Sequence, residues 1–556
     1  MGDQSSITEK ARRGVLLVCG LAFLPALLYA NTLPNSFHYD DTFFILNNLY
    51  VHSLSGIGHF FVSPRLVSNI PLSGYRPVTM ATFALNYAVG GENAFGYHLV
   101  NVVIHVLNTL VVYALSNALM RAFEVPRTRE AALAVALLFA CHPINTQPVN
   151  YISGRSALLA GGFSLLCILL YMRGREAVGT FRLSITWAGS LAAYLCALLS
   201  KEEAVVVPGL LVVYELCRFR LRIDKEKMRQ ISLALSPFLV LTLGFLVFVV
   251  HVLGVISETP QARGVWENLL TQAKALFIYL KLIALPTDLS IDHVVTTSAS
   301  IFEPVAMASV VAGIVILVSS IFLIRALPVV PFGIYWFVLA LAPSSTLVAL
   351  RLVVNEQRLY LSVIGMMFIA GACFGMALER ATIFRGSGFQ KVLVCGFAAI
   401  LVISGVLTVR RNTQWRDPLS LWTSALGKYP DSARANTQVA SIYLEMGKFG
   451  AALEAAKKAK QAAPHVPETR LTLANAYSRL GLQEDALVEA RAAVDLNPAF
   501  PAAQATLGAV YARLGRYEEA EAAWERALEL DPYDIKVWEN LEKLNRRAKS
   551  TQGHRK

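Results

Sequence analysis

A chain of 556 residues that is 55% hydrophobic and only 16% charged, with a mean hydropathy of +0.50, is not a water-soluble globule, since soluble domains carry about 25% charged residues. Of the 38 Asp and Glu, 20 lie in residues 1–410 and 18 in the last 146, which divides the chain into a membrane body and a soluble appendage. The net charge of +12 speaks first of membrane orientation rather than of nucleic acid, because Lys and Arg clustered between apolar segments mark a cytoplasmic face.

The first apolar run, Val15–Ala30, follows Lys10, Arg12 and Arg13 and precedes no small-residue cleavage site. It reads as an uncleaved span with its N-terminus inside. Residues 31–96 then read as a long external loop containing His38-Tyr39-Asp40-Asp41 and Tyr75-Arg76-Pro77. Further spans are expected at 97–120, 131–149, 156–172, 183–200, 204–217 and 231–254, most of them near the ~20 residues that cross a bilayer. The loops with Arg121/Arg127/Arg129, Arg173/Arg175/Arg182 and Arg218 to Arg229 belong inside by their positive charge. That leaves His142 to Arg155 and Lys201-Glu202-Glu203 outside. The apolar stretch 264–286 is interrupted by Lys281 and reads as interfacial, because a span there would put the basic loop Arg380-Arg385-Lys391 outside. Spans at 304–324, 329–347, 358–378 and 392–409 bring the total to about eleven, and an odd number places the C-terminal part on the opposite side from the N-terminus. Cys19, Cys141, Cys167, Cys196, Cys217, Cys373 and Cys395 lie in or beside apolar segments with no metal spacing or disulfide framework, and read as small buried hydrophobes.

Beyond residue 410 the pattern changes. Pro430, Pro464, Pro498 and Pro532 stand 34 residues apart, and so do Gly447/Gly481/Gly515, Tyr443/Tyr477/Tyr511 and Ala452/Ala486/Ala520. This is the tetratricopeptide period. Small residues at Ala440, Ala474 and Gly508 allow two helices to cross closely, and each proline stops the second helix of its repeat. The expected architecture is all-α: a polytopic membrane domain over 1–410, then a junction with a partial repeat over 411–432, its helix at Leu419–Lys428. Repeats follow at 433–466, 467–500 and 501–534, with a capping helix through Arg547 and a basic tail over 548–556. Such an array forms a groove suited to extended peptides or partner proteins, unless it only packs on the membrane body.

Chemistry is expected on the outer face. In Asp40-Asp41, one carboxylate can accept the proton of an attacking hydroxyl; the same pair can also simply cap the helical start at Thr42. The stretch from His142 through Gln147, Asn150 and Tyr151 to Arg155 and Ser156 interrupts an otherwise apolar segment, and a guanidinium such as Arg155 matches phosphate oxygens. Lys201, Glu202, Arg76, Arg351, Glu356 and Arg358 fall on the same side. Singly, each reads first as an interfacial anchor or ion-pair partner and only second as a functional group. Together, carboxylates and cations at one membrane face suit an anionic, lipid-borne substrate. No Gly-rich phosphate loop and no metal-ligand spacing occurs in the sequence.

The order of these motifs carries a resemblance. The external Asp40-Asp41 is followed by His142-Pro-x-x-Thr146-x-x-Val149-x-x-Ile152-x-x-Arg155, Ser200-Lys201-Glu202, Glu356-x-Arg358-x-Tyr360-Leu361 and Arg411-Asn412-x-x-Trp415 leading into repeats. Over nearly the whole chain this resembles the transmembrane and tetratricopeptide-repeat O-mannosyltransferases and their bacterial relatives, in the GT-C glycosyltransferase superfamily. The resemblance implies a GT-C fold and a sugar, such as mannose, carried on a polyprenyl (dolichyl-type) phosphate. It implies inverting transfer on the outer or lumenal face, to a hydroxyl such as a protein Ser or Thr presented by the repeats. Asp40 would be the base and Asp41 its support, while His142, Arg155, Lys201, Arg351 and Arg358 would steady the departing lipid phosphate. The chain departs from the pattern at Gln147-Pro148, where relatives carry Glu, and at Ser362-Val363, where a proline is usual. Its low repeat number favours a bacterial-type relative in an inner membrane, with the endoplasmic reticulum as the eukaryotic equivalent. No cofactor beyond the lipid co-substrate is implied, and a divalent metal is left open. Two rivals share the layout: a ligase using a lipid pyrophosphate donor, and a non-enzymatic membrane anchor for the repeats.

Overall fold

The computed structural model describes residues 2–62, 74–176, 180–252, 263–345, 349–532 and 534–553. It comprises two compact units, Met1–Asp417 and Pro418–Lys556. Among the described residues every regular element is helical.

Among the described residues of the first unit, seven helices are long and apolar enough to cross a bilayer: Arg12–Thr32, Ala94–Ala122, Ile152–Glu176, Lys225–Val250, Pro304–Leu323, Glu356–Ile383 and Gly388–Gln414. The bent pair Thr128–Cys141 and Pro143–Asn150, broken by 49°, makes an eighth if it acts as one span. Of the remaining expected spans, Ser184–Leu198 and Val329–Ser345 form shorter apolar helices. Val207–Arg218 has 12 residues, about 18 Å of helix, well short of the ~30 Å hydrocarbon thickness. The stretch read as interfacial is the helix Val265–Ala284, which is not among those apolar enough to span.

Close helix approach is built on glycine. A Cβ on Gly333 would lie 2.4 Å from the Gly365 carbonyl oxygen, and one on Gly365 equally close to that of Gly333. A Cβ on Gly371 would lie 2.6 Å from the Ala131 carbonyl oxygen. Small residues at such crossings let backbones touch where no hydrophobic force drives helices together. The helices Ile152–Glu176 and Glu356–Ile383 are mostly buried, whereas Pro304–Leu323 and Gly388–Gln414 turn most of their apolar side chains outward.

Two expectations change here. The segment 31–96 is more than a loop, since it folds the helices Ile57–Val62 and Pro77–Gly90; residues 63–73 lie outside the described residues. The cysteines are all free, but Cys19, Cys373 and Cys395 are exposed, because they sit on outward faces of apolar helices where a small thiol suits lipid as well as core.

The second unit starts with Pro418–Leu426, followed by the helix pairs Ala433–Glu445 and Phe449–Ala462, Pro467–Arg479 and Gln483–Leu496, and Pro501–Arg513 and Tyr517–Leu530. Between the two helices of each pair stands a glycine with positive φ: Gly447 at 73°, Gly481 at 84° and Gly515 at 79°. Side chains other than glycine rarely adopt that conformation. The last helix, Ile535–Gly553, runs past the expected end at Arg547.

Candidate active site

The two adjacent aspartates have different surroundings. Asp41 is fully buried. Its Oδ2 accepts the His38 backbone N–H at 2.8 Å, and its Oδ1 accepts the Ser153 N–H at 2.8 Å and the Ser153 hydroxyl at 2.5 Å. Burial pushes its carboxyl up to about 7 against those donated bonds, and the charge of Asp40 adds to the rise. Asp40 is only partly buried, and its Oδ2 accepts the Tyr151 hydroxyl at 2.7 Å. Burial raises the Tyr151 pKa well above the ordinary value, which keeps the phenol a donor. Tyr39, just before the pair, has a left-handed φ of 54°, a conformation that strains a residue with a Cβ and concentrates at functional sites. Asp41 therefore anchors the loop, while Asp40 is held by one phenol and is only partly buried.

The hub is the five-residue helix Thr146–Asn150. Asn150 donates to Asn412 Oδ1 at 2.7 Å and accepts from Asn35 at 3.1 Å; Asn412 donates to the Leu28 carbonyl and to Asn31 Oδ1 at 2.9 and 2.8 Å. This lattice ties the end of the first span to the end of the last. Burial lowers His38 to about 4, so its ring is neutral and Nε2–H donates to the Trp415 carbonyl at 2.7 Å. The Trp415 ring lies 5.5 Å from that of His38 and 6.1 Å from that of Tyr151. No local motif in the sequence marks the roles of Asn31, Asn35, His38, Tyr151 and Ser153. The available signal was amides bordering apolar runs, since a buried amide needs a partner.

The expected phosphate cations are dispersed in their engagements. Arg76 makes a two-pronged pair with Glu202, at 3.1 and 2.8 Å, and lies within electrostatic reach of Glu203 and Asp40. Burial works against ionisation of Glu202, but the Arg76 guanidinium outweighs it and holds the carboxyl low. Lys201 pairs with Glu203 at 2.8 Å. Glu203 and Arg358 line one narrow cleft together with Gly161, Ser164 and Tyr360. Arg358 donates to the Val353 and Leu352 carbonyls at 3.2 and 3.0 Å, and Arg351 is exposed. Glu356, fully buried, accepts the Ser290 N–H at 2.5 Å and His293 Nε2 at 2.9 Å, with Arg411 at 3.7 Å.

Two residues are engaged otherwise than expected. Arg155 is wholly buried and donates to Asn101 Oδ1 at 2.8 Å, to the Tyr97 carbonyl at 2.9 Å and to both oxygens of Thr82 at 3.3 Å, with its guanidinium 4.7 Å from the Phe83 ring centre. These protein groups tie Arg155 to the helix Ala94–Ala122 and to Thr82. His142 accepts the Ile144 N–H at Nδ1 and therefore donates from Nε2 to the Ile283 carbonyl at 2.9 Å. Both its nitrogens serve the backbone. Among the described residues no group of three or more His, Cys, Asp or Glu side chains converges to hold a metal ion.

Comparison with known proteins bears on both units. Models of the tetratricopeptide repeat match residues 433–465 and 501–534. A protein O-mannosyl-transferase of Caenorhabditis elegans is 25% identical over 80% of this chain and 62% of its own. The human protein O-mannosyl-transferase TMTC1 is 34% identical over 40% of this chain and 27% of its own. The homologues of this chain are protein O-mannosyl-transferases with tetratricopeptide repeats. The chain spans about half the length of the curated relatives it matches. Among solved structures, the first tetratricopeptide domain of Spaghetti (RPAP3) bound to an HSP90 peptide is 29% identical, with a TM-score of 0.20, over 21% of this chain and 93% of that one.

Proposed function

We propose that this chain is an inverting membrane glycosyltransferase that moves mannose from a polyprenyl phosphate to a protein Ser or Thr hydroxyl. The observation that carries the reading is the unlike pair Asp40 and Asp41, one carboxylate open and one locked, in a chain whose homologues are named protein O-mannosyl-transferases. Asp40 accepts the proton of the acceptor hydroxyl as that oxygen attacks the anomeric carbon from the face opposite the phosphate. The bond from that carbon to the phosphate oxygen breaks, and its electron pair leaves with the polyprenyl phosphate. General-base help of this kind contributes about 10²–10⁴-fold. Arg76, Arg351 and Arg358 supply positive potential for the charge that grows on the departing phosphate. The tetratricopeptide repeats recruit the acceptor protein, as such arrays bind extended segments. The proposed setting is a bacterial inner membrane, or the endoplasmic reticulum in a eukaryote, with the N-terminus cytoplasmic and the repeats on the periplasmic or lumenal side.

The test is transfer of labelled mannose from a polyprenyl phosphate in membranes containing the full chain. Asp40→Asn, which keeps an acceptor for Tyr151, is expected to lose at least about 10²-fold in rate while still folding. A wild-type rate in that variant removes Asp40 from the reaction, and absence of transfer by the wild type from any polyprenyl-phosphate sugar refutes the activity.

A further inference from the structure

Glu356 and Arg411 meet in the buried interior as an ion pair whose facing atoms make no hydrogen bond. Glu356 is 0% and Arg411 5% exposed. Glu356 Oε1 is fixed by the Ser290 N–H and by His293, and Arg411 Nη1 is fixed by Gln414. Glu356 Oε2 and Arg411 Nη2 stand 3.7 Å apart, well beyond the ~2.7–2.9 Å of a charge-assisted hydrogen bond. Among the described residues neither atom has a hydrogen-bond partner, and the same holds for Arg411 Nε and for the nearby buried Trp415 Nε1 and Gln147 Oε1. Gln147 reaches this region by donating to Asn355, the neighbour of Glu356, at 3.1 Å. Buried polar atoms without partners are rare and costly, so the facing Glu356 and Arg411 atoms, 3.7 Å apart, point to a ligand.

The chemistry of the gap selects that ligand. A phosphate offers only acceptors and would face the Glu356 carboxylate. An ammonium offers only donors and would face the Arg411 guanidinium. A hydroxyl does both, because its proton goes to Glu356 Oε2 while its lone pairs accept from Arg411 Nη2. We infer that Glu356 and Arg411 bind a hydroxyl of the sugar being transferred. This rests on the glycosyl-transfer reading above and adds to it a sugar-recognising pair. Toward Asp40, Trp415, one helical turn after Arg411, lies 6.1 Å ring to ring from Tyr151, whose hydroxyl bonds to Asp40.

The experiment uses the full chain in lipid nanodiscs with polyprenyl-phosphate mannose and a set of donors each lacking one sugar hydroxyl. With wild type, one deoxy donor is expected to lose roughly 100-fold or more in kcat/KM, since a site built to bond a hydroxyl rejects the analogue without it. In Glu356→Gln and in Arg411→Gln that discrimination is expected to shrink by roughly tenfold or more; if one variant fails to accumulate, the other still reads it. Equal use of every deoxy donor by wild type overturns the inference and leaves the activity standing, with the pair holding an ordered water only. Discrimination that persists unchanged in the variants also overturns it, by placing the hydroxyl elsewhere. Failure of wild type to use even the intact donor refutes the activity itself.

Discussion

Asp41 offers the sharpest test of how the acidic loop is built, through Asp41→Ala measured across pH. The substitution leaves the His38 and Ser153 amides, each 2.8 Å from the carboxyl, without an acceptor, whereas the Ser153 hydroxyl can rotate to another partner. An orphaned buried amide costs about 1–3 kcal/mol, so the two together cost about 4 kcal/mol. The variant is also relieved of a buried carboxyl, and this relief depends on pH. Burial raises the Asp41 pKa from 3.8 to about 7. A raised carboxyl pKa gives stability that is intact below the unfolded value and lost as pH climbs through the folded one. At about 1.4 kcal/mol per pH unit, the relief grows from nothing near about pH 4 to about 4 kcal/mol near about pH 8. Asp41→Ala is therefore expected to be less stable than wild type by about 4 kcal/mol at the acid end and close to it at the alkaline end. Thermal unfolding of the full chain in detergent, followed by tryptophan fluorescence, measures this. Asp40→Asn is the comparator, expected within about 1 kcal/mol of wild type throughout because its site is partly exposed. A deficit in Asp41→Ala that stays constant with pH, or widens toward pH ~8, refutes the reasoning.

Two further substitutions test the scaffold. Arg155→Lys breaks up the bonds to Asn101, Thr82 and Tyr97 and is expected to cost about 3–5 kcal/mol, seen as a low folded yield on size exclusion. The KM of the surviving enzyme for the lipid donor should stay within about threefold of wild type; normal stability with a large rise in KM would instead assign Arg155 to the phosphate. In the repeats, a Cβ on Gly508 would sit 2.6 Å from the Trp524 ring, whose indole N–H is tied to the Ala505 carbonyl at 3.0 Å. Overpacking costs about 1–3 kcal/mol and better helix propensity returns about 1 kcal/mol. Gly508→Ala should therefore leave the repeats more open to limited proteolysis, and Trp524→Leu should relieve the effect; wild-type resistance in Gly508→Ala refutes the close crossing.

The sequence alone determined whatever depends on local composition or on period. Apolar length marks the long helices because a bilayer sets one thickness for all of them. The 34-residue columns mark the repeats because each unit must present the same small residues to its neighbour. Charged residues bordering apolar segments also single out Asp40-Asp41, Glu356 and Arg358. What those residues do was decided only by tertiary structure. Nothing local separates Asp40 from Asp41; the difference is that Tyr151 reaches one and Ser153 the other, across more than a hundred residues. The partners of Arg155, Asn101 and Tyr97, lie more than fifty residues away and are brought to it by the fold. Asn150 and Asn412 bond across 262 residues of chain. Such partners are chosen by the packing of helices far apart in sequence, and no periodicity in the chain records that choice.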